Sequence, residues 1–251
     1  MTAAAVFWLV LAGLGMGTIN NLAGAAGVLG LIAFETACGL SPELANGSLR
    51  LAAIAIGLCG WLGFHTRGVR IPARAWRLAL WTVPGALLGV ALALRLPRWM
   101  YRSYLLAVML GVLWQQLRHR APSQSALPLR RDLLAFGLVV VGLHMGFVQV
   151  GVGLVAILVL SRGVSRDLVE VNTTKMALVI VSSIVSTLEF TRSGAIAWSE
   201  GSVLAVAAGA GSFWASRWSV TKGHGAVRAV VAAQGFGGEQ DLRSGLGHGA
   251  R

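Results

Sequence analysis

Two long stretches of the chain carry no charge, yet each holds amides and glycines where a lipid-facing helix would hold only aliphatic side chains. The first, residues 1–34, exceeds the roughly 20 residues that one helix needs to cross about 30 Å of hydrocarbon. Its centre reads GLGMGTINNLAGAAGVLG over residues 13–30. Glycines and amides at membrane depth are tolerated only where protein or a water-lined cavity satisfies the freed backbone groups. The pattern therefore predicts a first helix that stops or unwinds between residues 18 and 25, after which the chain either completes the crossing or turns back. The second stretch, residues 133–161, repeats the anomaly with Gln149 and glycines at its middle.

Shorter uncharged cores follow at residues 51–64, 78–94, 103–117, 176–188 and 201–216, with Trp61, Trp76, Trp99, Trp114, Trp198 and Trp218 near their ends. That placement is the interfacial aromatic belt of membrane helices. Seven spans are predicted. Residues 118–132, with Pro122 and Pro128, read as a polar linker between a first repeat (1–117) and a second (133–233). Residues 226–233 begin like an eighth span, but the glycine-rich, polar residues 234–251 cannot complete it and read as a disordered tail. The expected fold is an all-α integral membrane protein of two related four-helix halves with broken first helices, the last helix truncated.

The halves align. Setting Gly15 on His144 puts Gly13 on Gly142, Gly17 on Gly146, Asn20 on Gln149 and Gly24 on Gly153. Parallel repeats follow if each half makes four crossings, and inverted ones if each contains a re-entrant segment. Loop Lys and Arg in the first half favour a cytoplasmic amino terminus on a seven-crossing count, whereas those of the second half oppose it.

Composition agrees with a membrane class: 56% hydrophobic and 12% charged residues with a mean hydropathy of +0.72, against about 25% charged residues in soluble domains. The net charge of +12 lies mostly in short loops, so it points to topology and anionic lipid and not to nucleic acid. Cys38 and Cys59 lack metal or redox spacing and read as packing residues. No paired metal-binding histidines, nucleophile elbow, phosphate loop or carboxylate cluster is present, so no enzyme, cofactor or metal is expected.

The candidate chemistry is that of an anion in a low-dielectric cavity. Asn20, Asn21 and Gln149 offer amide donors, beside Gly24, Gly27, Gly151 and Gly153. The same amides also suit hydrogen bonds between packed helices, and the same glycines suit close helix contact. Arg50 and Lys175 each follow an Asn-x-Ser/Thr passage, at Asn46 and at Asn172 with Thr173, where an apolar span begins. Two roles are open to each: neutralising a substrate, or snorkelling to the interface. His144, inside the second uncharged run, is a candidate proton relay or a packing histidine.

The chain resembles the TauE/SafE family of membrane transporters through GMGTINNLAGAAG (15–27), LSPELANGSLR (40–50), VPGALLG (83–89) and VEVNTTKMALVIVSS (169–183). The resemblance covers roughly residues 5–230. It implies a multi-pass transporter of the cell (inner) membrane that moves a small anion, sulfite or an organosulfonate, by alternating access at a midplane site between two broken helices. Expected partners are the bilayer and the anion, with a proton if transport is proton-coupled and a second copy if the protein is a homo-oligomer. The alternatives are a non-transporting membrane subunit or scaffold and, less in keeping with the residues, an intramembrane enzyme.

Overall fold

The computed structural model describes residues 1–22, 27–117, 130–165 and 167–221, and among these the regular structure is entirely helical. In chain order the helices are α1 (Ala3–Leu22), α2 (Gly27–Ala37), α3 (Pro42–His65), α4 (Ala73–Leu80), α5 (Thr82–Arg95), α6 (Arg98–Leu117), α7 (Arg131–Phe147), α8 (Val152–Gly163), α9 (Leu168–Arg192) and α10 (Trp198–Thr221). Three of them, over Ala3–Asn20, Pro42–His65 and Val169–Arg192, are long and apolar enough to cross a membrane; α4 with α5, bent by 40°, makes a fourth. Each uncharged stretch of the sequence thus becomes one helix or one broken pair. Residues 118–129 and 222–251, where most of the linker and the whole tail fall, lie outside the described residues.

Boundary residues explain several ends. Ser41 caps α3, its Oγ accepting from the Leu44 N–H at 3.4 Å with Pro42 in the first turn. Asp167 caps α9 through the Val169 N–H at 2.9 Å. These caps start both helices well before the apolar cores do. Arg50 and Lys175 therefore lie two turns inside helices rather than at span entrances, and both are 0% exposed, which removes the snorkelling reading. The first helix ends inside the expected window: α1 stays helical through Thr18 and stops at Leu22, and Thr18 Oγ1 donates to the Leu14 carbonyl at 2.8 Å in the ordinary i−4 way.

The second broken pair turns back. A Cβ on Gly137 would meet Val159, and one on Gly163 would meet Leu134, so α8 runs antiparallel along α7 as a hairpin. Residues 148–151 form its tip, where Val148 is extended and Gly151 has φ +71°, a left-handed value that glycine adopts without the Cβ clash. The first pair turns back as well: α1 runs parallel to α10 (Gly13 on Leu204, Gly17 on Ser212) and so does α3 (Leu51 by Gly201, Gly63 on Phe213), so α2, packed on α1 where Gly15 meets Leu29, returns the chain between them.

Small residues fix the remaining contacts, as expected where lipid leaves no hydrophobic force between helices. Gly13 and Gly17 of α1 lie on Leu204, Ala207 and Ala208 of α10, while their aligned counterparts Gly142 and Gly146 of α7 lie on Thr82 and Ala86 of α5. Each hairpin helix is thus packed, in parallel, on the third helical unit of the opposite half. Helices α3 and α9 pack antiparallel, Gly47 facing Phe190 and Gly57 facing Ile180. Exposed Phe7, Trp8, Leu106, Phe136, Val206 and Trp214 give the outer surface an apolar character suited to lipid.

Candidate functional site

A helix that stops inside a membrane leaves its last carbonyls without intrahelical partners and with partial negative charge. In α7 those carbonyls meet α3. Arg50 Nη1 donates to the Met145 carbonyl and to Gln149 Oε1 (2.6 Å), and Nη2 donates to the Gly146 carbonyl (3.0 Å) and Asn46 Oδ1 (3.1 Å). Asn46 Nδ2 donates to the Phe147 carbonyl at 3.0 Å. The guanidinium also lies over the Phe190 ring of α9, 5.1 Å from its centroid, a favourable place for a desolvated cation. Among the described residues, Arg50 Nε has no hydrogen-bond partner.

A second buried cation, Lys175, meets the end of α1 in a comparable way. Lys175 Nζ of α9 donates to the Asn20 carbonyl at 3.1 Å, in the last turn of α1. Asn172, placed on α9 as Asn46 is on α3, is buried with Oδ1 unpartnered among the described residues, and Thr173 Oγ1 is turned to the Glu170 carbonyl at 3.0 Å. Each second-unit helix therefore supplies a cation to the hairpin of the opposite half. The hairpins themselves touch, since a Cβ on Gly27 would run into the backbone of Gln149 and Val150. Gly151 and Gly153 are buried at the second tip, whereas Gly24 and the side chain of Asn21 lie outside the described residues.

The two cations serve different hairpins, and their backbones start from different levels of the bundle. With Gly47 level with Phe190 and Gly57 level with Ile180, Arg50 lies level with Thr187, about 12 residues from Lys175, or roughly 18 Å at 1.5 Å of rise per residue. Between them runs a polar stripe of α9. Ser183 and Thr187, spaced with Ile180 and Phe190 on the face toward α3, are buried, with hydroxyls that have no partner among the described residues.

His144 is held on both sides. Its Nε2 lies 2.8 Å from the Val150 carbonyl, which only accepts, so Nε2 carries the proton and Nδ1 accepts from the Tyr104 hydroxyl of α6 at 2.7 Å. The pair ties the hairpin tip to α6. Tyr104, Ser183 and Thr187 were not singled out in the sequence; the run of hydroxyls at 182, 183, 186 and 187 was the available signal.

Two apposed helical hairpins, each met by a buried cation, in a bundle with helices long and apolar enough to cross a membrane, define the class, a multi-pass membrane protein. The family model described as "Sulfite exporter TauE/SafE" matches residues 9–236, and the chain belongs to that family. No curated protein and no solved structure matches the chain.

Proposed function

We propose that the chain moves a small oxyanion, sulfite or an organosulfonate, across the inner membrane by alternating access between two inverted halves. The observation that carries this is the buried Arg50, whose partners are neutral carbonyls and amides and whose Nε–H is open beside the Ser183 and Thr187 face. A desolvated cation without a carboxylate partner leaves a positive field in a low-dielectric site, and an oxyanion accepting from Nε and the two hydroxyls would relieve it. Inversion is supported by the antiparallel α3 and α9, and the two-repeat boundaries by the reciprocal packing of the hairpins. On this reading the bundle has seven helical units, two of them hairpins.

The test is flux in proteoliposomes. Sulfite-dependent counterflow is expected, and its absence with sulfite, taurine and sulfate alike would favour the scaffold alternative. A proton gradient supplies the second arm. If His144 relays the coupling proton, His144→Gln, which keeps a donor for the Val150 carbonyl, loses the response to the gradient while retaining counterflow; an unchanged response would leave His144 as a structural tie.

Re-entrant hairpins also re-sort the loops. Arg67, Arg70, Arg74, Arg77, Arg130, Arg131 and Arg162 then fall on one side, opposite Arg95, Arg102, Arg192 and the amino terminus. The excess of positive charge assigns the first side to the cytoplasm and the amino terminus to the outside, contrary to the orientation that a seven-crossing count favours for the first half. A cysteine placed at Thr2 in a variant lacking Cys38 and Cys59 is expected to react with a membrane-impermeant maleimide added to intact cells; labelling only after lysis would reverse the assignment.

A further inference from the structure

At the open end of the α7–α8 hairpin, far from its tip, the protein has a cavity of about 580 Å³ between α4, the start of α7 and the end of α8. Three arginines line it, Arg74 and Arg77 from α4 and Arg131 from α7, against one carboxylate, Asp132. Arg74 is also paired with Glu170 of α9, which leaves Arg77 and Arg131 as the lining cations without a salt bridge among the described residues. The first turn of α7 opens at the same place, and no side-chain hydrogen bond caps it, so its N–H groups add to the positive end of the helix dipole.

The rest of the wall is apolar. Trp81 lines the cavity and is 53% exposed, and Leu133 and Phe136 continue along α7 as bare hydrophobic surface toward the middle of the membrane. A cationic mouth above a lipid-facing hydrophobic flank matches one kind of molecule, an amphiphile with an anionic head. We propose that this cavity binds the phosphodiester head of an anionic phospholipid, with Arg77 and Arg131 as its cationic contacts and the acyl chains lying along α7. The seated phosphate bridges α4 to the base of the hairpin, adding a polar tie to the apolar core that Ala75 and Ala79 share with Leu138 and Ala156. The proposal does not depend on what the chain transports. Its place on the arginine-rich side agrees with the leaflet where anionic lipids gather.

The experiment is a titration of the purified, detergent-solubilised full chain with phosphatidylglycerol, phosphatidylcholine or inorganic phosphate, read as lipid adducts by native mass spectrometry and as a shift in thermal unfolding. Phosphatidylglycerol is expected to bind and to raise the unfolding temperature, with phosphatidylcholine giving neither effect. The double variant Arg77→Gln, Arg131→Gln should bind phosphatidylglycerol about thirtyfold more weakly, the loss of two arginine contacts to an anionic head. The Arg77→Lys, Arg131→Lys variant should retain most binding and so controls for folding. Equal phosphatidylglycerol binding by native and Gln forms overturns the proposal, as does stabilisation by inorganic phosphate at concentrations where the lipid has no effect.

Discussion

Replacing Arg50 with Met is expected to deplete the protein from the membrane, whereas Arg50→Lys is expected to leave it folded and nearly inactive. The Met variant removes the donors from the Met145 and Gly146 carbonyls, from Gln149 Oε1 and from Asn46 Oδ1, all in a buried region. Leaving buried acceptors unpaired costs about 1–3 kcal/mol for each, so losing several together removes a large share of the 5–15 kcal/mol that holds a typical protein together. A lysine keeps the charge but is a point donor without the planar fork, so it serves fewer of these acceptors and leaves no Nε–H for substrate. Losing the one charge-assisted hydrogen bond that Nε offers the anion, at about 1.5–3 kcal/mol, lowers flux roughly 10- to 100-fold. Membrane abundance by immunoblot and counterflow normalised to protein measure the two effects. A Lys variant that transports like the native chain would assign Arg50 to capping α7 alone.

How much of this was readable beforehand divides along a physical line. Exclusion of charge from lipid is a local property, so the uncharged stretches and the two anomalous breaks could be located from the chain alone, and the Gly13/Gly142 and Gly17/Gly146 alignment found positions that do the same packing work. Whether a 34-residue uncharged run crosses twice or turns back is not local, because both outcomes need the same residues. Arg50 shows the limit most clearly. Treating charge as the edge of a span put it at an entrance, but its neutralising groups are carbonyls 95 and 96 residues further along the chain, and nothing in the intervening pattern announces them. The sequence named Arg50, Lys175, Asn20 and Gln149 together, but not that Arg50 would meet Gln149 and Lys175 the Asn20 carbonyl, each across halves of the chain. Tyr104 escaped notice because a lone tyrosine in a span also reads as an ordinary interfacial residue.

The aligned glycines give the second large effect, and it is expected twice over. A Cβ on Gly17 would come closer than 3.0 Å to the Ala208 carbonyl and the Ser212 nitrogen of α10, and one on Gly146 would come closer than 3.0 Å to the Ala86 backbone of α5. Backbone cannot swing aside as a flexible side chain does, so the helices must separate, and overpacking of this kind costs 1–3 kcal/mol or more even for small increments. Gly17→Leu and Gly146→Leu should therefore each lower the unfolding temperature in detergent by several degrees. Gly111→Ala, where a Cβ meets nothing within 4 Å, should leave it unchanged or slightly raised, because alanine restrains the unfolded helix more than glycine does. The diagnostic comparison lies between the two Leu variants. If each hairpin helix is a moving part gripped by the third helical unit of the opposite half, the two should fall in stability together and lose counterflow together. A large loss at Gly146 with none at Gly17 would show that only the second hairpin is held by backbone contact, and the reciprocal design inferred from α1 on α10 and α7 on α5 would fail.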